Sequence, residues 1–590
     1  MKILLITPPL LHPNTPYAAT PLLTAWLKTL GHQAVQSDLS LQLLLKLFSR
    51  KGLSAVCAAL EIPPDAAEPY LKTIDPVLAF LQNRNPDAME NILDRGWLPE
   101  GEHLARAYEM EEQLGWNFRE LDFMDRARYL ASLYLDDIAD AAAGLDPNFE
   151  FSRYAEKIAA SVPDFAKIRN ELEGSPSVFF QWLEELTDAA MVLHRPEMVV
   201  LTVPFPGCLL GALITARRIK HTCAGVRIVL GGGYVNTELR ELADPGIFDY
   251  VDFITLDSGF LPLRQLAAGG QPVRTFKREN GAVIFQTSEM PEIPHAELPP
   301  PDFQGLELGD YFGVFETLNP VTRLWSDERW NKLVLAHGCC WSRCAFCDTS
   351  IDYICRYDPA DPVSICDWIV HVMNETGFRG FHFVDEALPP DLLDGLCDEI
   401  LHRKLDIEWW GNIRYEKRFS SDLIRKMAAA GCIAVTGGLE TGCDRTLKLM
   451  CKGIVMRHAI RVLTDLADAG ILTHAYLMYG FPTQTAAETF HTLETVRDLF
   501  AQDILHSAYW HRFALTAHSG ISMNPEQYCI SVPETAPASF ALNEIPFDAS
   551  FDHDLDDMGE MLKRATYNYM LGLGLEMPVD TWWPEQKITF

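Results

Sequence analysis

The chain has 590 residues, 48% hydrophobic and 22% charged, a balance that excludes wholesale disorder and, at about 150 residues per domain, implies three or four domains. Its 81 acidic residues outnumber 49 basic ones; a net charge of −32 without a Lys/Arg-rich run excludes nucleic acid as an expected partner. No run of about 18 apolar residues offers a membrane span, and the 14 cysteines, scattered but for one cluster, make no disulfide framework.

In chain order, an apolar strand is predicted over residues 2–7, a turn at Pro8-Pro9, a helix over 20–30 stopped by Gly31, and a second strand over 32–38. This opens a parallel β-α-β unit. The N-terminus lacks a small-residue cleavage site, so it reads as fold and not as a signal peptide. Residues 41–195, rich in Ala, Leu, Glu and Asp with aromatic residues at helical intervals, read as a helical insertion. Alternation resumes with strands over 198–203, 226–230 and 250–257 and helices over 210–219 and 261–267. Gly231, Gly232 and Gly233 follow one of these strands, where a backbone without side chains lets a ligand approach the carboxyl edge of a parallel sheet. Taken alone, they read equally well as a turn. The prolines at 291, 294 and 299–301 punctuate residues 276–330, which read as a linker.

Residues 331–528 alternate strands (333–336, 380–384, 407–411, 434–439, 472–478 and 508–514) with helices, the pattern of a parallel barrel whose site lies at the carboxyl ends of its strands. Residues 529–590 read as a C-terminal helical region, with apolar residues at helical spacing over 558–571. Directly after the first barrel strand, Cys340, Cys344 and Cys347 stand in C-x-x-x-C-x-x-C spacing. Three such thiolates can hold three irons of a [4Fe-4S] cluster and leave the fourth iron open to another ligand. The rival is structural zinc, which takes four closed ligands, usually from paired cysteines or cysteine with histidine. Cys339 and Cys355 are near enough to add one, although Cys339 reads better as a buried neighbour, because adjacent side chains of an extended chain point to opposite sides. An iron-sulfur site implies the reducing cytoplasm.

With Phe346 before its last cysteine, this segment resembles the radical S-adenosylmethionine (radical SAM) superfamily. There the open iron chelates the amino and carboxylate groups of SAM, and one electron splits SAM into methionine and a 5′-deoxyadenosyl radical. The resemblance implies a partial (β/α)6 barrel. It assigns Glu386 to the SAM ammonium, Arg414 to the SAM carboxylate, Glu440 to ribose or other polar contacts, and the backbone at Gly480 and Pro482 to the adenine. Residues 512–519 resemble a segment common in the cobalamin-linked branch. His518 and Ser519 within it read first as loop hydrogen-bonding residues, and Trp409, Trp410, Trp582 and Trp583 as core aromatics.

Residues 1–40 and 196–275 resemble the Rossmann-like cobalamin-binding domain that precedes the radical SAM barrel in many bacterial enzymes. The matching pieces are Thr7-Pro8-Pro9, Thr202-Val203-Pro204, Gly231-Gly232-Gly233 and Asp257-Ser258-Gly259. The D-x-H-x-x-G motif is absent, which implies cobalamin without a protein histidine below cobalt, and Leu-Asp-Ser-Gly-Phe at 256–260 replaces the family's Gly/Glu-rich turn.

The expected fold is therefore α/β: a Rossmann-like cobalamin-binding domain with a helical insertion, then a partial (β/α)6 barrel and a C-terminal helical region. The function the resemblance implies is that of a cobalamin-dependent radical SAM C-methyltransferase. Its expected partners are a flavodoxin or ferredoxin reductant and a small-molecule or peptide substrate. A radical cyclase or rearrangement enzyme is the alternative with the same cofactors, and a zinc-stapled or degenerate-barrel binding protein the alternative without catalysis. A methylthiotransferase fits less well, because only the widely spaced Cys57, Cys208 and Cys223 precede the barrel, where that branch carries a second three-cysteine cluster.

Overall fold

The computed structural model describes residues 1–114, 122–151, 153–154, 162, 164–315, 319–534 and 538–583. Parts of the predicted helical insertion, linker and C-terminal region lie outside the described residues.

Two sheets organise the molecule. The first contains β1 (Lys2–Thr7), β2 (Gln33–Asp38), β3 (Met198–Thr202), β4 (Arg227–Gly231), β5 (Phe253–Thr255), β6 (Thr275–Glu279) and β7 (Ala282–Gln286) in the order β2-β1-β3-β4-β5-β6-β7. Strands β2 to β5 are parallel, and β5-β6 and β6-β7 are antiparallel. The order reverses between β1 and β3, a switch point where the carboxyl ends of strands open a crevice.

Every residue of β3 is buried, as a parallel strand covered on both faces requires. On one face, Leu4, Ile6, Val199, Leu201 and Leu230 share a core with Leu44, Phe80, Tyr134 and Leu183 of the inserted helices. On the other, Ile3, Leu5, Met198 and Val200 meet Leu23, Trp26 and Phe260. The period-two alternation of one strand thus feeds two separate cores.

The sheet reaches beyond residue 275. The segment read as a linker opens with the β6-β7 hairpin, turned by Asn280 (φ 52°) and Gly281 (φ 83°), both in the left-handed conformation that a two-residue hairpin turn needs. The rest of that segment ties the sheet to the barrel. The Tyr311 hydroxyl donates to Asp38 Oδ2 (2.8 Å), Lys28 pairs with Asp302 (2.6 Å), and His295 Nε2 lies 2.9 Å from the Val334 carbonyl.

The second sheet contains β8 (Trp330–Leu333), β9 (Gly380–Leu388), β10 (Glu408–Ile413), β11 (Cys432–Glu440), β12 (Leu472–Tyr479) and β13 (Ser507–Arg512), all parallel and paired in sequence order. Its outer face packs against helices Pro362–Thr376, Pro390–Arg403, Ser421–Ala429, Met456–Asp468 and Ala486–Ala501 around Phe383, Trp409, Val435 and Leu477. Helix Leu555–Met570 covers β13, where the Trp510 indole donates to Thr566 (2.8 Å).

The strand predicted over 333–336 lies earlier. The buried Asp385 carboxylate accepts the Leu335 N–H (3.1 Å) and Ala336 N–H (2.6 Å), taking donors that a longer strand would give to its neighbour.

Candidate functional site

The carboxyl ends of both sheets open on one cavity of about 810 Å3. Its barrel wall is chemically dense. Cys339, Cys344 and Cys347 line it, so Cys339 is not the buried neighbour expected from sequence, and it is Cys340 that stands just behind, its thiol 3.7 Å from the Ala387 carbonyl. The cysteine loop is held by Ala345 N–H to the Met450 carbonyl (2.9 Å), Ile521 N–H to the Ala345 carbonyl (3.1 Å) and the Trp341 indole to the Cys451 carbonyl (2.9 Å). The thiol pairs Cys339–Cys340 and Cys344–Cys347 are hydrogen-bonded, so each pair gives up its first proton readily. The Cys344 thiol is lowered, first by the hydrogen bond from Cys347 and then by the charges of Lys452 and Arg414. Among the described residues no three His, Cys, Asp or Glu side chains converge on a single ion. A [4Fe-4S] cluster asks something different, one thiolate for each of three irons.

Glu386 and Arg414 line the cavity from the ends of β9 and β10, and Glu440 from the end of β11. Glu386 is exposed into the cavity, and its pKa is raised, by desolvation first and the Cys339 charge second. Arg414 is buried, donates to the Lys452 carbonyl and stacks 4.5 Å over the Trp341 ring; its Nε makes no hydrogen bond, the Glu416 carboxylate lying 3.9 Å away. Glu440 is not free: its carboxylate pairs with Lys452 at 2.5 Å, both side chains about nine-tenths buried.

Lys452 is the residue that motif reasoning missed. Burial works to lower its pKa, but Glu440 and Cys344 overcome that and raise it. Its ammonium also lies 5.8 Å from the Phe346 ring. The available signal was Met450-Cys451-Lys452-Gly453, a short loop after helix Asp444–Leu449 that returns to the cysteine loop.

The opposite wall belongs to the first sheet and is mostly backbone. Thr202, Gly231, Gly232, Gly233, Asp257 and Gly259 line it, whereas Val203 stays buried behind. Gly232 has φ 116°, and a Cβ there would stand 2.4 Å from the Val203 carbonyl oxygen, so no other residue fits without moving the β3 end. A Cβ on Gly259 would meet nothing within 4 Å. The Asp257 carboxylate is committed to Arg240 (2.7 Å) and Arg274 (3.3 Å), and its backbone to the Asn236 side chain, which accepts the Asp257 N–H (2.6 Å) and donates to the Asp257 carbonyl (2.9 Å). Tyr17, which the motifs did not flag, also lines the cavity, its phenol pushed up to about 12 by burial.

Other predicted residues stand apart. Gly480 and Pro482 are buried in the turn after β12 and are absent from the lining, the Gly480 Cα facing Leu555. Ser519 caps a short helix by accepting the Ser522 N–H (3.2 Å), and the His518 carbonyl accepts the Ser350 hydroxyl (2.8 Å), the loop role read from sequence. Trp409 is core, Trp410 stacks on His382 at 3.5 Å inside the barrel, and Trp582 and Trp583 pack on Tyr569 and Phe490.

No family model matches the chain. At the level of fold, it is similar to the cobalamin-dependent S-adenosylmethionine radical enzyme OxsB solved with aqua-cobalamin, with a TM-score of 0.50 and 13% identity over 65% of this chain and 60% of that one. The fold is thus α/β, with a mostly parallel open sheet and a parallel barrel sheet as its two units. In sequence, the chain is 23% identical over 392 residues to an uncharacterized methyltransferase of Pyrococcus horikoshii, covering 61% of this chain and 80% of that protein. It is 22% identical over 226 residues to the cytidylyl-2-hydroxyethylphosphonate methyltransferase of Streptomyces wedmorensis, covering 37% of this chain and 41% of that enzyme.

Proposed function

We propose that the protein is a cobalamin-dependent radical SAM methyltransferase that places a methyl group on an unactivated substrate carbon. One observation carries the reading: the loop that bears Cys340, Cys344 and Cys347, two of whose thiols reach the cavity, faces the glycine edge of a parallel sheet across the same space. The residues present fit the implied groups. Cys340, Cys344 and Cys347 supply three sulfur donors in the spacing of such a cluster, and Gly231 to Gly233 and Gly259 present backbone to a large flat ligand. When bound, the cluster with SAM supplies a carbon-centred radical and cobalamin supplies the methyl group.

The chain's own residues do the positioning. Glu386, facing the cavity without an ion-pair partner among the described residues, receives the SAM ammonium. Arg414, fixed by the Lys452 carbonyl and the Trp341 ring, turns its remaining donors to the SAM carboxylate. Glu440 and Lys452 neutralise each other beside the cysteine loop, so the pair contributes polar contacts at little net charge. Phe346 covers the Lys452 ammonium, which keeps that end of the cavity dry. Thr202 and the glycine edge would hold cobalamin by shape and backbone, in a chain without the D-x-H-x-x-G motif. A flavodoxin or ferredoxin supplies the electron, and the substrate is a small molecule or a peptide. Among the described residues no helix is long and apolar enough to cross a membrane.

The test is anaerobic reconstitution with iron, sulfide and hydroxocobalamin followed by gel filtration, absorption and EPR, beside the triple Cys340/Cys344/Cys347→Ala variant. A cysteine-dependent [4Fe-4S] signal with stoichiometric cobalamin supports the reading. Zinc without acid-labile sulfide overturns it. A product of unchanged mass assigns rearrangement instead of methylation.

A further inference from the structure

The cysteine loop has an outer face as well as the one that lines the cavity, and its charge departs from that of the chain. Three segments meet there, residues 339–347, 412–418 and 441–453. The half-buried Trp341 joins them: its indole donates to the Cys451 carbonyl (2.9 Å), the Arg414 guanidinium lies 4.5 Å from its ring, and a Cβ on Gly453 would strike that ring. In a chain where acids outnumber bases by 81 to 49, these segments carry seven bases and two acids. Both acids are engaged. Glu416 sits between Arg414 (3.9 Å) and Arg418 (3.8 Å), and Asp444 accepts the Met456 N–H (2.8 Å).

Four of the bases are also engaged, Arg414 and Arg418 around Glu416, Arg445 on Glu488 (2.6 Å) and Lys452 on Glu440 (2.5 Å). The other three, Arg343, Lys417 and Lys448, are exposed and have no ion pair among the described residues. All three border Trp341. Arg343 lies 5.3 Å from its ring, Lys417 follows Glu416, and the Lys448 carbonyl accepts the Cys451 N–H (3.1 Å). Cys451 and Gly453 are exposed beside the ring, so the face is open to solvent. An aromatic centre with a charged rim is the anatomy of a protein interface. The rim also selects its partner. A protein of negative charge is repelled by a chain of net charge −32 and steered to the one place where the sign reverses.

Trp341 is bonded directly to Cys340 and precedes Cys344 by three residues, so a partner on this face stands beside the thiols without entering the cavity. We propose that the face docks a small acidic electron-carrier protein of the flavodoxin or ferredoxin kind. The proposal rests on the radical reading above and adds the place of the electron's entry. One electron leaves the carrier, which is oxidised by one unit, and enters the cluster held by the three thiols, taking it from [4Fe-4S]2+ to [4Fe-4S]+; no bond or proton is exchanged.

The test uses the full chain, a flavodoxin with its FMN, and the same flavodoxin with its surface carboxylates amidated. Affinity is read by calorimetry at low salt and at about 0.3 M salt, where exposed charges are screened. The wild type is expected to bind the native flavodoxin and not the amidated one. Lys417→Glu/Lys448→Glu should weaken that binding about tenfold or more, as should the added salt, whereas Lys51→Glu/Lys167→Glu, exposed bases of the inserted helices, should change it little. Arg343 also lines the cavity and is left unchanged. On reconstituted protein, cluster reduction by flavodoxin hydroquinone should slow in step with affinity, while reduction by dithionite and iron content stay as in the wild type. Equal binding by wild type and Lys417→Glu/Lys448→Glu, equal loss in the control pair, or tighter binding of a duplex oligonucleotide through the same bases overturns the proposal. Binding is measurable without the cluster, which separates the two readings. A chain that assembles its cluster and ignores flavodoxin sinks the docking face alone, and one that binds flavodoxin through these lysines but assembles no cluster keeps the face and sinks the radical chemistry.

Discussion

The two walls of the cavity are built on opposite principles. The barrel wall presents functional groups: the thiols, the open Glu386 carboxylate, Arg414 with an unsatisfied Nε, and the Glu440–Lys452 pair. The sheet wall presents shape. Its glycines leave backbone exposed, and the nearby charges of Asp257, Arg240, Arg274 and Glu292 are spent on one another. A wall of functional groups tolerates no change of chemistry, whereas a wall of backbone tolerates no added volume. This contrast predicts which substitutions disable which half.

The largest expected effect is on the barrel wall. Replacing any one of Cys340, Cys344 or Cys347 by Ala removes a cluster ligand, so the 4Fe-4S absorption and activity fall to background while cobalamin retention persists; loss of both together would break the comparison. Next, Lys452→Met strands the buried Glu440 carboxylate and costs about 3–5 kcal/mol in urea unfolding, most of it recovered by adding Glu440→Gln.

Glu238, between the walls, gives a pH signature. Folded Glu238 holds its proton up to about 7, because of burial first and the acids around it second, against an ordinary value of 4.5. Folding therefore takes up a proton between those values. Its contribution to stability is full below 4.5 and is lost as pH rises through 7, by at most about 3 kcal/mol. Glu238→Gln should flatten the slope of Tm against pH over that window, and an unchanged slope would show another group to be responsible.

On the sheet wall, Gly232→Ala forces a Cβ against the Val203 carbonyl in a left-handed conformation. It should cost about 1–3 kcal/mol and abolish cobalamin retention while the cluster still forms. Smallest, Glu386→Gln should weaken SAM binding by about tenfold, measured by calorimetry on reconstituted protein, with cluster and cobalamin contents unchanged.

Much of this arrangement was legible because local chemistry announces itself. The C-x-x-x-C-x-x-C run, the glycines after β4 and the acidic and basic strand ends carry their signal within a few residues, and so do the turns that bound them. Even the hairpin hidden in the apparent linker had a local mark, Asn280-Gly281 between two strand-like runs, which proline punctuation obscured. Lys452 had almost none, since its importance comes from a return loop that brings it back to Glu440, 12 residues earlier, on a spacing no motif marks.

The sequence by itself determined the two α/β units, the three-cysteine run and the glycine-rich strand end, because strand periodicity, glycine geometry and cysteine spacing are properties of short segments. The tertiary structure alone decided which side chains are free. It paired Glu440 with Lys452, committed Asp257 to two arginines and left Gly480 and Pro482 outside the cavity. It also drew a C-terminal strap across Glu238. Whether a carboxylate is neutralised or available depends on partners on other elements, 12 residues away for Glu440 and 17 for Asp257, and only packing brings those together.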